Sequence, residues 1–230
     1  MNHPSTAILI FANTAQQEQE KKPFRAARTV FETLNKEAIA KVKKTGLPYF
    51  HISEEQQMGA TFGQRYVNAI QFVFNKGFQN IITIGNDTPH LKTAQLLKTA
   101  QKLKENPVVL GPSVDGGYYL MGLQRSQFDP QAFLKIPWQT PRVVQGISQL
   151  FSAKKIKPLF LAALHDIDGV SDIKKLTDGF KNLSAQLLKM LRSVLSKEKT
   201  NGTYFRFFTS FFQKENHFNK GSPSSAPVLK

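Results

Sequence analysis

The sequence predicts an α/β fold, a three-layer αβα sandwich around a mainly parallel, mixed sheet. Short apolar runs such as AILIF and NIITI have the length and composition of buried strands. They alternate with amphipathic segments of ten or more residues, which are typical of helices that cover a sheet. This alternation favours right-handed βαβ units and therefore a mainly parallel sheet.

The apolar pattern gives the elements in chain order. Gly46 and Pro48 separate the first long helix from the next strand, and Gly77 stands where a helix C-cap is expected. The predicted strands are Ala7–Phe11, Tyr49–Ile52, Asn80–Ile84 and Pro107–Leu110, followed by the strand-like YYLMGL, and the predicted helices are Phe24–Lys44, Gln64–Asn75 and Thr93–Lys104. Ligands of such sheets bind beyond the carboxyl ends of the strands, so the residues after each apolar run are the candidates for a site.

The chain has 230 residues, enough for one large domain and an appendage. We expect a core domain over residues 1–183 and a basic, aromatic segment over 184–230. That segment holds an amphipathic helix candidate, Ala185 to Leu195, then the run TYFRFFTSFF and a terminus with the composition of disordered chain. Residues 185–212 could contact a membrane surface or a second subunit, or fold back on the core as a helix.

Composition excludes several classes of protein. The absence of cysteine excludes disulfides, thiolate metal sites and a cysteine nucleophile. No signal peptide or membrane span is evident, so we expect a cytoplasmic protein. A net charge of +15 suggests an anionic partner, but the lysines are dispersed, and we expect no specific nucleic-acid binding.

Two segments place one carboxylate each after a predicted strand. In IITIGNDTPHL, Asp87 follows a buried strand, where it could hold Mg²⁺ against a phosphate or could bond its own backbone in a turn. In VVLGPSVDGGYYLMGL, Asp115 precedes Gly116 and Gly117, which allow a close backbone approach to a ligand. Asp-Gly before alternating apolar residues is also a hairpin signal, so both interpretations of Asp115 stay open.

A third segment, LHDIDGVSDIKKL, has Asp166 and Asp168 two residues apart. In an extended strand both carboxylates would face the same side and would repel each other unless a cation or protons intervened. A divalent metal is therefore one explanation, and helix capping by Asp168 or Ser171 is the other. The histidines show no ligand spacing, and Trp138 in IPWQTP could pack in the core or line a pocket.

Taken in order, these segments resemble the small bacterial glycosyltransferase-A-like transferases of the nucleotide-diphospho-sugar transferase superfamily, which are akin to 2-phospholactate guanylyltransferases. GPSVDGGYYLMGL is similar to that family's G-P-x-x-D-G-G-Y-Y-L-x-G-L, and IGNDTPHL to its I-G-x-D-x-P-x-L. QQMGATFGQRYVNAI, IPWQTPRVV and DIDGVSDIKKL match three further segments in the same order. The likeness spans roughly Ala7 to Phe180 and implies a nucleotide-binding transferase domain.

The resemblance implies a role for each candidate residue. The metal, Mg²⁺ or Mn²⁺, would be held by Asp87, Asp166 and Asp168. Asp115 is the best candidate for a catalytic base near the acceptor. The matched segments place the substrate-binding candidates at Lys21, Arg65, Gly116, Gly117, Tyr118 and Trp138. The implied partners are a nucleotide or nucleotide-sugar and a small acceptor.

The first loop departs from the family pattern. The family follows its first strand with F-A-K-x-P-x-P-G-x-V-K-T-R-L, whereas this chain reads FANTAQQEQEKKPF. Glu18 and Glu20 would repel phosphate, so either Lys21, Lys22, Arg25 or Arg28 compensates, or donor binding is weakened or lost.

Three functions follow from these patterns. The first is a metal-dependent transferase with a nucleoside-diphosphate-sugar donor. The second is a nucleotidyltransferase that joins a nucleoside triphosphate to a small phosphorylated acid. The third is a catalytically silent binding protein. Loss of the glycine from the first loop favours glycosyl over nucleotidyl transfer, because a triphosphate needs a well-built loop.

Overall fold

A six-stranded mixed sheet forms the centre of the molecule in a computed structural model that describes residues 5–22, 24, 26–179 and 183–196, without the side chains of 177–179. The strand order is β2-β1-β3-β5-β4-β6. β5 runs antiparallel to both of its neighbours, and every other pairing is parallel. The strands are β1 (Thr6–Phe11), β2 (Tyr49–Ile52), β3 (Asn80–Ile84), β4 (Val108–Pro112), β5 (Tyr118–Gln124) and β6 (Leu159–Phe160).

Helices cover both faces of this sheet. One face packs against α3, α5 and α6 and the other against α2 and α4, and each interface is a continuous set of buried apolar side chains. The helices are α1 (Ala15–Lys21), α2 (Ala27–Lys43), α3 (Phe62–Asn75), α4 (Thr93–Lys102), α5 (Pro130–Leu134), α6 (Val143–Ala153) and α7 (Val170–Gly179). The predicted three-layer αβα sandwich with a mainly parallel sheet is therefore confirmed.

The C-terminal described segment, 185–196, is helical and packs on the outer side of α2. Its side chains Leu187, Leu191 and Val194 are buried against α2 and α7. The Ser184 hydroxyl donates a hydrogen bond to Glu37 of α2 at 2.5 Å. The apolar face of this helix is thus occupied within the chain, while the aromatic run Tyr204–Phe212 lies outside the described residues.

Two departures from the predicted elements concern the start of the chain. Residues 15–21 form a helix within the segment that the family resemblance implied to be the first loop. The next helix begins at Ala27, not at Phe24, because Ala26 has φ of 65° and cannot continue a right-handed helix. No helix among the described residues is long and apolar enough to span a membrane.

Candidate functional site

Four aspartates from three separate segments meet at one edge of the sheet. Asp87 follows β3, Asp115 lies in the turn between β4 and β5, and Asp166 and Asp168 follow β6. Because β3, β4 and β6 run in the same direction, their carboxyl ends lie at the same edge. The sheet topology therefore brings together carboxylates that are up to 81 positions apart in the chain, from 87 to 168.

Backbone hydrogen bonds hold the last of these segments in place. The N–H of Val114 donates to the carbonyl of Leu164 at 3.1 Å, beside the turn that carries Asp115. The N–H of Ile167 donates to the carbonyl of Asp87 at 2.9 Å. Ile167 is fully buried. Its burial and these two hydrogen bonds fix the positions of the two aspartates that flank it.

Three of the four carboxylates are close enough to share a cation. One oxygen from each of Asp115, Asp166 and Asp168 lies within 4.8 Å of the others. Opposite oxygen ligands of Mg²⁺ are about 4 Å apart, so only a small side-chain adjustment would seat an ion of that size. Burial, together with the nearby charges of Asp87 and Asp115, raises the pKa of Asp166 to about 7. Such a group favours a bound cation or a proton.

Gly116 fixes the position of Asp115. Gly116 has φ of 94°, and a Cβ on it would lie 2.0 Å from the carbonyl oxygen of Pro141, so no other residue fits this turn. Asp115 Oδ1 accepts a hydrogen bond from the N–H of Gly117 at 2.9 Å. The hairpin interpretation of this segment is confirmed by the antiparallel pairing of β4 and β5. The same turn places Asp115 at the cavity, and its role there stays a prediction.

Among the described residues, Lys22 is the basic side chain that forms ion pairs with these aspartates. Its Nζ lies 2.9 Å from Asp168 Oδ1 and 3.4 Å from Asp87 Oδ2, and it donates a hydrogen bond to the carbonyl of Ile167 at 2.8 Å. Burial works against the charged form, but the negative charges of Asp87, Glu18 and Asp168 outweigh it and raise the pKa of Lys22. The ammonium is therefore permanently charged and faces the aspartates.

Helix α1 holds Lys22 at this position. Thr14 caps the helix by accepting a hydrogen bond from the N–H of Gln17. Glu18, one turn before Lys22, is 5 % exposed, accepts a 2.7 Å hydrogen bond from Asn13 and lies 3.8 Å from Lys22. Burial raises the pKa of Glu18. The altered first loop is therefore an ordered helix that places the Glu18 carboxyl group and the Lys22 ammonium group beside the site.

A cavity of about 490 Å³ opens beside the aspartates. Part of its wall is aromatic and is made by Phe11, Phe62, Tyr66, Tyr118 and Trp138. Trp138 donates its indole N–H to the carbonyl of Phe133 at 2.8 Å, and its ring lies 5.1 Å from that of Tyr66. A ligand in this cavity would thus contact both carboxylates and aromatic rings.

Two buried phenols complete the aromatic wall. The hydroxyls of Tyr66 and Thr83 are 2.6 Å apart. Burial raises the pKa of Tyr66 to about 12 and also raises that of Tyr118. Both phenols are therefore protonated at neutral pH and serve as hydrogen-bonding groups.

The structure places the predicted site residues around one cavity. Its lining includes Lys21, Arg65, Asp87, Asp115, Gly117, Tyr118, Trp138, Asp166 and Asp168, while Gly116 supports the turn from behind. Asp115, expected near the acceptor, lies with Asp166 and Asp168, while Asp87, expected with them, is the partner of Lys22. At the start of α7 the Asp172 carboxylate, in the first turn, accepts hydrogen bonds from the N–H groups of Asp168 and Gly169.

Sequence reasoning missed the roles of Glu18 and Tyr66 and treated Lys22 only as a compensating charge for phosphate. The spacing of Glu18 and Lys22, i and i+4, was the available signal, because such pairs stabilise helices and would have indicated α1. Nothing in the local sequence distinguishes Tyr66 from a core tyrosine of an amphipathic helix.

The profile of a family described as "Uncharacterized protein conserved in bacteria (DUF2064)" matches residues 16–140. Among solved structures, a protein from Desulfovibrio desulfuricans G20 proposed to be a nucleotide-diphospho-sugar transferase is similar at a TM-score of 0.71. It is 20 % identical, and the match covers 84 % of this chain and 97 % of that one. This likeness shows that the two proteins share a fold, which is the fold that the resemblance implied.

More distant similarities accompany this one. Rv0371c of Mycobacterium tuberculosis H37Rv, solved in complex with manganese, is 14 % identical, with a TM-score of 0.44 and coverage of 76 % of this chain and 98 % of that one. A cytidylyltransferase from Leptospira borgpetersenii is 15 % identical, with a TM-score of 0.41 and coverage of 86 % and 96 %. None of the curated proteins matches the sequence.

Proposed function

This chain belongs to the bacterial protein family DUF2064, and we propose that it is a metal-dependent transferase that uses a nucleoside-diphosphate-sugar donor. The observation that carries this proposal is the convergence of Asp115, Asp166 and Asp168 on one point beside a cavity. The cavity lies at the carboxyl edge of the strands, where sheets of this kind bind nucleotides.

The proposed cofactor is Mg²⁺ or Mn²⁺. Asp115, Asp166 and Asp168 offer only carboxylate oxygens, which are the ligands that these hard cations prefer. Burial and like charge destabilise the ionised Asp166, which an ion would relieve. When bound, the cation would supply charge neutralisation for the departing diphosphate.

Other lining residues have proposed roles in binding. Lys21 and Arg65 are the basic side chains of the cavity wall that make no ion pair among the described residues, and we assign them to the diphosphate. Tyr118 and Trp138 would bind the flat face of the base or the apolar face of the sugar. Gly117 would let the ligand approach the backbone beside Asp115.

Asp115 has two candidate roles, as a ligand of the cation and as the base that accepts a proton from the acceptor. The roles compete, because a carboxylate bound to a divalent ion is a weaker base. Asp115→Asn separates them. Loss of Mn²⁺ binding would identify a ligand, whereas unchanged Mn²⁺ affinity with lost turnover would identify the base.

The first loop favours glycosyl transfer over nucleotidyl transfer. A triphosphate is normally held by a glycine-rich turn whose N–H groups point at the phosphates. Here residues 15–21 form a helix, and Glu18 is buried against the site. A diphosphate that is anchored by a divalent ion requires less of this loop.

A ligand screen by thermal shift tests the proposal. Nucleoside diphosphates, triphosphates and sugar nucleotides are each added with and without Mn²⁺, to wild type, Asp166→Asn and the control Glu105→Gln, whose side chain is exposed at the end of α4. We expect stabilisation by sugar nucleotides that needs Mn²⁺, persists in the control and disappears in Asp166→Asn.

Each other outcome of the screen has a defined meaning. A preference for triphosphates would replace glycosyl by nucleotidyl transfer. Stabilisation that is equal with and without Mn²⁺ would remove the metal from the proposal. If no nucleotide stabilised the chain, the transferase would be rejected in favour of a catalytically silent binding protein.

A further inference from the structure

The ammonium of Lys22 lies among oxygens of the carboxylate site. Its Nζ contacts Asp168 at 2.9 Å and Asp87 at 3.4 Å, and the carbonyl of Ile167 accepts its third contact at 2.8 Å. The Lys22 side chain is 16 % exposed, compared with 57 % for that of Asp168. Three oxygens, from the segments that follow β3 and β6, therefore surround one ammonium.

Groups other than these oxygens also contact Lys22. Nζ lies 4.8 Å from the centroid of the Phe31 ring, so the face of a buried aromatic side chain supports the charge. Glu18 lies 3.8 Å away, one turn earlier in α1, and Thr14 begins that helix with an N-cap bond. The Lys22 side chain is thus largely buried and is in contact with protein groups on several sides.

The ion pair divides the four aspartates into two parts. Asp87 and Asp168 have Lys22 as counter-charge, whereas Asp115 and Asp166 have no basic partner among the described residues. Asp168 belongs to both parts, because it also lies within 4.8 Å of the other two carboxylate oxygens. A divalent ion that binds Asp168 must therefore share that carboxylate with Lys22.

We propose that Lys22 is a built-in counter-cation that competes with the divalent ion for Asp168 and so sets the cation affinity of the site. The proposal rests on the proposed metal site. Lys22 cancels one of the four negative charges of the aspartates and repels a second cation nearby. The site then binds a divalent ion more weakly than the same four carboxylates without the lysine.

The test is the affinity of the full chain for Mn²⁺ alone, measured by isothermal titration calorimetry and by the electron paramagnetic resonance of free Mn²⁺. The variants are Lys22→Met, which keeps an apolar chain over Phe31, and Lys22→Arg, which keeps the charge. Lys104→Met is the control, since it removes the same charge from an exposed side chain after α4 that does not line the cavity.

We expect Lys22→Met to bind Mn²⁺ at least about tenfold more tightly than wild type, because a unit charge next to the ion is removed. Lys22→Arg should bind as wild type does, and Lys104→Met should change the Kd by less than about threefold, because solvent screens an exposed charge outside the site. A lysine that merely stabilised the fold would give the opposite result, with weaker Mn²⁺ binding after its removal.

A second measurement needs no variant. Reductive methylation of wild type, read by mass spectrometry, reports how readily each lysine reacts. Mn²⁺ should increase the labelling of Lys22, because the ion weakens its contact with Asp168, while Lys41, bound to Glu37 and to the carbonyl of Pro89, should not change. Unchanged labelling of Lys22 at saturating Mn²⁺ would overturn the competition.

The outcomes separate this inference from the proposed function. Equal, measurable Mn²⁺ affinity in wild type and Lys22→Met would overturn the role of Lys22 and leave the metal site intact. Binding by Lys22→Met alone would support the role of Lys22 and remove the metal from the wild-type reaction. Absence of Mn²⁺ binding from both proteins would overturn both.

Discussion

The Glu54 carboxylate, in the loop after β2, accepts hydrogen bonds from both the N–H and the hydroxyl of Thr14, with the N–H bond at 2.6 Å. Thr14 is the N-cap of α1, so these contacts connect the second strand to the helix that positions Lys22. Burial favours the neutral form of Glu54, but the hydrogen bonds from Thr14, together with a bond from its own backbone and the charge of Lys21, outweigh burial and lower the pKa of Glu54. The altered first loop is therefore held from outside as well as by its own helix.

Replacing Glu54 with alanine should lower the free energy of unfolding by about 1–2 kcal/mol, because hydrogen bonds to a charged group are lost and Thr14 keeps only its cap bond. Chemical denaturation measures the loss. Glu55→Ala is the control, since Glu55 is exposed, and it should change stability by less than about 0.5 kcal/mol. Equal effects of the two changes would contradict the role assigned to Glu54.

The pH dependence of stability should differ between wild type and Glu18→Gln. Burial raises the pKa of Glu18 above its ordinary value of 4.5, so the native state holds this proton more tightly than the unfolded state does. The stabilisation from protonated Glu18 is complete below pH 4.5 and is lost as pH rises through the raised pKa. Relative to the glutamine variant, wild type should become less stable over that window.

Urea denaturation of both proteins from pH 4 to pH 8 measures this difference. The other titrating groups are common to both proteins, so the difference between the two curves isolates Glu18. A difference that stays constant with pH would show that Glu18 ionises normally in the folded chain.

The repeating pattern of the sequence was sufficient to predict the sheet and its main helices. Tyr49–Ile52 and Asn80–Ile84 were predicted with their observed bounds, because each is a short, mainly apolar run with turn residues on either side. The antiparallel direction of β5 also has a local signal in the sequence, the Asp-Gly pair in the β4–β5 turn.

Helix α1 could not be predicted in the same way. Its sequence, AQQEQEK, has no apolar stripe, and the helix is stabilised by the cap at Thr14 and by the distant carboxylates of Glu54, Asp87 and Asp168. Which aspartates meet is likewise a property of the topology. Asp87 and Asp166 follow different strands, and only the pairing of the strands brings Asp115 between them.

Gly116 should not tolerate a side chain. With φ of 94°, an alanine would be strained by about 1–3 kcal/mol, and its Cβ would also lie 2.0 Å from the carbonyl oxygen of Pro141. We expect Gly116→Ala to lose more than about 3 kcal/mol of stability or to fail to fold, since the clash adds to the strain. The matched change is Gly169→Ala, where a Cβ meets nothing within 4 Å.

Thermal melts of the two glycine variants check this prediction. Gly169→Ala should remain within about 1 kcal/mol of wild type, because the added Cβ meets open space and only the preference for glycine before a helix is lost. Similar melting temperatures for wild type and Gly116→Ala would mean that the turn before β5 can relax, and the placement of Asp115 would then lose its support.

Trp138 provides a direct probe of ligand entry. It is the only tryptophan in the sequence, and its ring contacts Phe62, Tyr66 and Tyr118 in the cavity wall. A donor that enters the cavity should change the emission of this ring. If the divalent ion anchors the diphosphate, a sugar nucleotide should change the fluorescence only when Mg²⁺ is present, and Asp166→Asn should abolish the change.

Fluorescence titration with sugar nucleotides measures this effect. Mg²⁺ is used because it does not quench tryptophan as paramagnetic Mn²⁺ does, and free N-acetyltryptophanamide corrects for absorption by the nucleotide. Glu105→Gln, remote from the cavity, should respond as wild type does. An equal change in wild type and Asp166→Asn would show that the nucleotide binds without the carboxylates, because the same ring would then report binding that does not depend on the ion.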